Sequence, residues 1–127
     1  MSKNILITGA NGQLASEIKS IKENYADFNF TFASKEDLNI TNESEITAFL
    51  KSNTISYIIN CAAYTAVDTA EGDEETAQFV NATGAEILAK SCNRTKTVLL
   101  HISTDYVFDG ESSKAYTEED ETLPLSV

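Results

Sequence analysis

One stretch near the amino terminus constrains the fold more than any other. Ile5-Leu6-Ile7-Thr8 is a short apolar run of the kind a buried parallel strand needs. It leads directly into Gly9-Ala10-Asn11-Gly12-Gln13-Leu14-Ala15. Gly9 permits a tight turn, Gly12 lets the backbone approach a diphosphate closely, and Ala15 stands where a small residue allows helix to pack on strand. The helix opening here offers free N–H groups to an anion. The spacing G-x-x-G-x-x-A is a weak signal alone. Set between a strand and a helix, with a second strand at the right distance, it points to a dinucleotide-binding turn.

The remaining pattern alternates strand and helix. Leu14, Ile18 and Ile21 recur at helical spacing. Phe28, Phe30 and Phe32 alternate as in a strand. Asn42-x-x-Glu45 resembles a capping box, and Ile46, Phe49 and Leu50 continue as the face of a second helix. Residues 57–62 read as a third strand. A long helix is expected from about Asp73 to Cys92, with an acidic first turn suited to the helix dipole and with Ala77, Val80, Gly84 and Leu88 on its buried side. Residues 98–102 read as a fourth strand, and the chain beyond Gly110 reads as polar loop. The fold class expected is α/β, a Rossmann-like doubly wound parallel sheet in one domain spanning residues 1–127. Four strands are an incomplete sheet of this kind. The fourth is expected to show a bare edge unless more chain or a partner covers it.

Charge and composition narrow the partners. The 127 residues carry a net charge of −11 with Lys and Arg scattered, so no basic footprint exists for a nucleic acid. An anionic ligand must therefore be held by local groups such as a helix terminus. No apolar run has the length of a membrane span, and the first residues lack the apolar core of a signal peptide, so a cytoplasmic protein without a membrane partner is expected. Cys61 and Cys92 read as reduced, buried thiols, and no spacing suggests a metal site.

Ligands of open α/β sheets bind beyond the carboxyl ends of the strands. After the second strand stands Ala33-Ser34-Lys35, where many NAD-binding folds carry an acid for the ribose 2′-OH. Ser34 and Lys35 could hold a 2′-phosphate, so the cofactor expected is NADPH or NADH, with a tilt to NADPH. Lys35 as a plain surface lysine is the competing interpretation. After the third strand, Ala62 and Ala63 leave room for a flat ligand. After the fourth, Ser103-Thr104-Asp105-Tyr106 brings hydroxyls and a carboxylate to the same crevice.

The segments Thr8–Ala15, Asp37-Leu38-Asn39-Ile40-Thr41, Asn60–Asp68, Val80-Asn81-Ala82-Thr83-Gly84 and His101–Gly110 closely resemble the dTDP-4-dehydrorhamnose reductases, a branch of the extended short-chain dehydrogenase/reductases. The resemblance covers essentially the whole chain. It implies NAD(P)H-dependent reduction of the 4-keto group of a dTDP-4-keto-6-deoxy sugar to dTDP-L-rhamnose. It also implies a C-terminal substrate domain that is absent here. Carried over by position, Gly12, Gln13 and Leu14 contact the cofactor diphosphate, Asn39 and Ile40 border the adenine, and Ala62, Ala63, Tyr64 and Thr65 line the way to the nicotinamide. Thr104 is the hydroxyl member of a catalytic Thr/Tyr/Lys set, and Asp105 and Tyr106 meet the sugar.

The other two members of that set are missing. The fourth residues after Tyr25, Tyr57, Tyr64, Tyr106 and Tyr116 are Asn29, Cys61, Asp68, Gly110 and Asp120, so no Tyr-x-x-x-Lys is present. An aliphatic hydroxyl is too weak an acid to replace the tyrosine. The chain is expected to be the N-terminal part of a reductase, inactive alone and a possible homodimer in its parent protein. A dehydratase of related fold would want Thr-Asp-Glu where Thr104-Asp105-Tyr106 stands. The alternative from another class is a non-catalytic nucleotide-binding subunit similar to the regulatory β subunit of methionine adenosyltransferase. Asn81 is expected to tie helix to strand, and His101 to be a satisfied core histidine. The run Glu118-Glu119-Asp120-Glu121 is expected to be a solvated loop.

Overall fold

A computed structural model describes residues 2–125. Four parallel strands, β1 (Lys3–Thr8), β2 (Phe28–Ala33), β3 (Tyr57–Asn60) and β4 (Val98–His101), form one sheet in the order β2-β1-β3-β4. The chain leaves β1 for β2 on one side and then returns to β3 on the other. That reversal puts a topological switch point between the carboxyl ends of β1 and β3, where ligands of such sheets bind.

The two faces of the sheet are unequally covered. Along β1, Leu6 points to one face and Ile5 and Ile7 to the other. The Leu6 face is closed by α2 (Glu43–Asn53) and α5 (Gly84–Thr95), which pack on each other. Ile46, Leu50, Ile58 and Leu88 are buried there together with Leu38 and Ile40 from the segment after β2. Burying one such aliphatic side chain contributes about 1.5–3 kcal/mol. Among the described residues, the only helix on the opposite face is α1 (Gln13–Ile21), which lays Ala15 and Ile18 over Ile5 and Ile7. Register continues this row outward, Tyr57 to Val98 and Ile59 to Leu100, onto a strand with nothing over it. Val98 and Leu100 are more than half exposed. The expected bare edge is therefore present, and an apolar face adjoins it.

Local sequence accounts for the boundaries. Asn42 caps α2 by accepting the N–H of Glu45, as its spacing suggested. Helices α2 and α5 end on Thr54 and Lys96 in the left-handed region. The third strand stops at Asn60, two residues earlier than expected. The Asn60 side chain accepts the N–H of Ala62 and turns the backbone out of the sheet. The apolar stripe of α1 also differs from the pattern. Leu14 and Ile21 lie 42% and 45% exposed, because a single helix over one strand buries only the residues facing it, Ala15 and Ile18.

The long helix is present and runs without a break from Glu74 to Thr95, but with a π turn in its middle. After a short α3 (Val67–Ala70) come α4 (Glu74–Gln78), a π turn (Phe79–Thr83) and then α5. The expected inner residues Ala77, Gly84 and Leu88 are buried and Val80 packs on the core. Gly84 is held against Ile40, whose Cδ1 would lie 2.9 Å from a Cβ built there. The wider π turn keeps this contact while turning Asn81 to a different neighbour.

Candidate functional site

The glycine turn has the geometry its spacing implied. Gly9 adopts φ +67° and lies flat on the backbone of Cys61 and Ala62. Gly12 begins α1 with no side-chain cap. The first helical hydrogen bond runs from the N–H of Ser16 to the carbonyl of Gly12. The N–H groups of Gln13, Leu14 and Ala15 precede it and point out of the helix start, as four orphan donors do at any helix N-terminus. This helix start, through Gly12, Gln13 and Leu14, borders one side of a crevice of about 800 Å³, with Ala63, Tyr64 and Thr65 on the second and Thr104, Asp105 and Tyr106 on the third. A dinucleotide fits this arrangement: an open helix N-terminus, a glycine where a side chain would block approach, and small residues beside it.

Three strand ends are locked beneath the crevice by one side chain. Asn60 is 1% exposed, and its Oδ1 accepts both the hydroxyl of Thr8 at the end of β1 and the N–H of Ala62. Its Nδ2 lies 2.9 Å from His101 Nδ1 at the end of β4. An amide NH₂ can only donate, so His101 Nδ1 accepts and the ring carries its N–H at Nε2. His101 is thus satisfied, but it sits exposed on the edge strand and not in a core, because no strand among the described residues pairs with β4 on that side.

Asn81 holds the wall after β3. Its Oδ1 accepts the N–H of Tyr64 at 2.8 Å and its Nδ2 donates to the Tyr64 carbonyl at 3.0 Å. It therefore ties the π turn to the loop after β3, where helix-to-strand contact was expected. Single π turns recur at functional sites. Sequence inspection did not mark Asn60 or Asn81 as functional. Their signal is position, an amide at a strand end and an amide among small helical residues, and it is not type.

The segment after β4 is ordered by its own contacts. Tyr106 has φ +54°, an uncommon conformation for an aromatic residue, and turns its largely exposed ring toward the crevice. Phe108 and Tyr116 stack with ring centroids 4.2 Å apart. The Tyr116 hydroxyl donates to Asp109, which also accepts the N–H of Glu111. Leu123 N–H reaches back to the Val107 carbonyl, so residues 107–123 close on themselves as a compact loop. The Tyr116 hydroxyl, then the Glu111 N–H, hold the Asp109 carboxyl below its usual range. A depressed carboxyl contributes order that is present above its unfolded value and lost as pH falls through the folded one. Tyr116→Phe is accordingly expected to raise the Asp109 pKa and to speed proteolysis within 107–123, with loop protection in the unsubstituted protein fading only below about pH 4. Equal cleavage rates for the two proteins at pH 7 would contradict this.

At the end of β2 the residues expected to seat a phosphate are already engaged in part. Ala33 is anchored beside the glycine turn, its carbonyl accepting the N–H of Ala10. Ser34 follows, but its N–H and hydroxyl both donate to Asp37 Oδ2, at 3.0 and 2.8 Å. Lys35 is exposed, and among the described residues it makes no salt bridge. Asn39 is engaged locally, accepting from Thr41, and Ile40 is buried in the core under Gly84. Ile40 can therefore border a ligand only from below. Burial pushes the Cys92 thiol up to about 11 and also raises Cys61, so neither is a ready nucleophile at neutral pH. Among the described residues no group of three or more His, Cys, Asp or Glu is placed to hold a metal, and no helix is long and apolar enough to cross a membrane.

Comparison with known proteins agrees with this geometry. The family described as RmlD substrate binding domain matches residues 3–127. The chain belongs to that family. Within it, the chain is 39% identical over 123 residues to a dTDP-4-dehydrorhamnose reductase of Aggregatibacter actinomycetemcomitans, covering 97% of this chain and 42% of the relative. The crystal structure of a dTDP-4-dehydrorhamnose reductase from Clostridium acetobutylicum superposes with a TM-score of 0.91 at 42% identity, over 97% of this chain and 44% of that one. That of the Bacillus anthracis enzyme, solved in complex with NADP, gives 0.93 at 36% identity, over 99% and 45%. The chain thus spans less than half the length of the relatives it matches. Their shared fold is the Rossmann type read here from sheet order and glycine turn.

Proposed function

We propose that this chain is the cofactor-binding part of a ketoreductase that reduces the 4-keto group of dTDP-4-dehydro-L-rhamnose to dTDP-L-rhamnose. One observation carries the proposal. The crevice at the switch point joins an open helix N-terminus, fit for a diphosphate, to a strand end bearing Thr104, Asp105 and Tyr106. The bound nicotinamide nucleotide, NADPH or NADH, supplies the hydride. The N–H groups of Gln13 and Leu14 hold its diphosphate, and Ala62, Ala63, Tyr64 and Thr65 form the wall that Asn81 fixes. Asp105 and Tyr106 meet the sugar. Thr104 donates a hydrogen bond to the ketone oxygen and keeps it in register as negative charge develops there.

Proton delivery needs a stronger acid than a threonine, and residues 1–127 contain no Tyr-x-x-x-Lys to provide one. These residues alone are therefore proposed to bind cofactor without turnover. The exposed row of Val98, Leu100 and Ile102 beside the open edge of β4 supports contact with further chain or with a second copy in the working enzyme.

Thr104→Val in the full-length protein is the direct test. It is expected to lower kcat for the dTDP-4-keto sugar by about 10²–10³ with KM little changed, since the hydrogen bond strengthens only as charge builds on oxygen. Undiminished turnover by this variant, or no reduction of the sugar by the unsubstituted full-length protein, would overturn the assignment.

A further inference from the structure

We propose that Asp37 is a specificity-determining residue for the dinucleotide, weakening the hold on a 2′-phosphate by seating its own carboxylate on the donors of Ser34. The proposal rests on the cofactor assignment above and goes beyond it.

In dinucleotide folds the ribose of the nucleotide half lies just past the end of the second strand. Here that end is fixed beside the glycine turn by the hydrogen bond from Ala10 N–H to Ala33 carbonyl. The next residue, Ser34, would offer an incoming phosphate two donors, a backbone N–H and a hydroxyl. Both already go to a single oxygen, Asp37 Oδ2. The turn is closed behind them by Leu38 N–H on the Ser34 carbonyl, and Leu38 is 2% exposed. The Asp37 side chain is itself exposed, but its carboxylate is held over the turn by the two Ser34 donors, on a backbone that buried Leu38 anchors.

Charges nearby act in opposite directions. Lys35 favours a phosphate. Glu36 and Asp37 repel it. The Glu36 carboxyl is held below its usual range by its own backbone N–H and then by the Ser34 side chain, and the Asp37 carboxyl by the Ser34 N–H and then the Ser34 hydroxyl, so both are ionised at neutral pH. A 2′-phosphate must displace the Asp37 carboxylate or sit beside it, whereas a 2′-hydroxyl can donate to that same carboxylate. The residue thus penalises one cofactor and offers a partner to the other. An acid two or three positions beyond the usual place does the discriminating, which is why Ala33-Ser34-Lys35 read alone suggested the opposite preference.

The test is the ratio of dissociation constants for NADPH and NADH, measured by fluorescence titration of the full-length protein. Asp37→Asn keeps an acceptor for Ser34 N–H and removes the charge. It is expected to shift the ratio toward NADPH by about three- to tenfold, the effect shrinking as salt rises. Asp37→Ser should shift it in the same direction, and Lys35→Ala the opposite way. A merely structural role for Asp37 would loosen the turn and weaken both dinucleotides alike, leaving the ratio unmoved. Binding with an unchanged ratio in both Asp37 variants overturns the proposal and leaves the cofactor assignment standing. If the unsubstituted protein binds neither dinucleotide, the cofactor assignment falls, and this proposal with it.

Discussion

Gly9→Ala is expected to destabilise the protein by about 2–5 kcal/mol and to abolish dinucleotide binding as a consequence. Two separate costs add. The backbone at Gly9 has φ +67°, where a Cβ meets its own carbonyl, at about 1–2 kcal/mol. The same Cβ would stand 2.7 Å from the nitrogen of Ala62 and 2.8 Å from its Cα and from the carbonyl carbon of Cys61. These are backbone atoms of the loop leaving β3, and no rotamer change relieves the clash. Overpacking of that kind adds about 1–3 kcal/mol. The contact also explains why the position is glycine: the turn after β1 must lie on the chain leaving β3 for the switch point to form a crevice at all.

Gly12→Ala supplies the contrast. Gly12 has ordinary dihedrals, and its Cβ would meet only the Gly9 carbonyl oxygen, at 3.2 Å. A stability loss below about 1 kcal/mol is expected there, with dinucleotide affinity carrying most of the effect because the new methyl stands where a diphosphate approaches. Denaturant midpoints at constant slope, read beside dinucleotide titrations, separate the two glycines. Equal stability losses for both would show that the positive φ and the contact with Ala62 do not govern Gly9.

The fold was legible in this sequence because its two central strands, β1 and β3, pack apolar residues on both faces of the sheet. Ile5-Leu6-Ile7 and Ile58-Ile59 are continuous apolar runs bounded by polar strand ends, and the helices between them carry stripes at helical spacing. The turn was legible because glycine is nearly the only residue that meets its backbone demands. What escaped were features decided by partners distant in sequence. Nothing local at Phe79–Thr83 announces a π turn. It follows from two simultaneous contacts, Gly84 on Ile40 and Asn81 on the Tyr64 backbone. The exposure of Leu14 and Ile21 likewise depends on how many strands α1 must cover, which the periodicity of one helix cannot state. At the end of β2 the local run could not show that the Ser34 hydroxyl is already bonded to Asp37, three residues further on.

The strand-end lock beneath the crevice gives the second large effect. Asn60→Ala removes an amide that accepts from Thr8 and Ala62 and faces His101, at a position 1% exposed. Two donors lose their acceptor, the Thr8 hydroxyl, 1% exposed, and the N–H of half-buried Ala62. Each orphaned group costs about 1–3 kcal/mol, and the space left by the side chain adds to that. A total loss of about 3–5 kcal/mol is expected. Because the same amide joins β1, β3 and β4 at their carboxyl ends, dinucleotide affinity should fall as well, although Asn60 touches no ligand in this arrangement. Thr8→Val discriminates this network from simple loss of packing. It removes the hydroxyl that Asn60→Ala orphans, so the double variant should cost less than the sum of the single ones by at least about 1 kcal/mol. Additive costs would mean that the two residues stabilise the sheet independently and that no lock couples the strand ends. A coupled result would place the stiffness of the crevice floor in one asparagine, with the glycine turn and the loop bearing Tyr64 both resting on it.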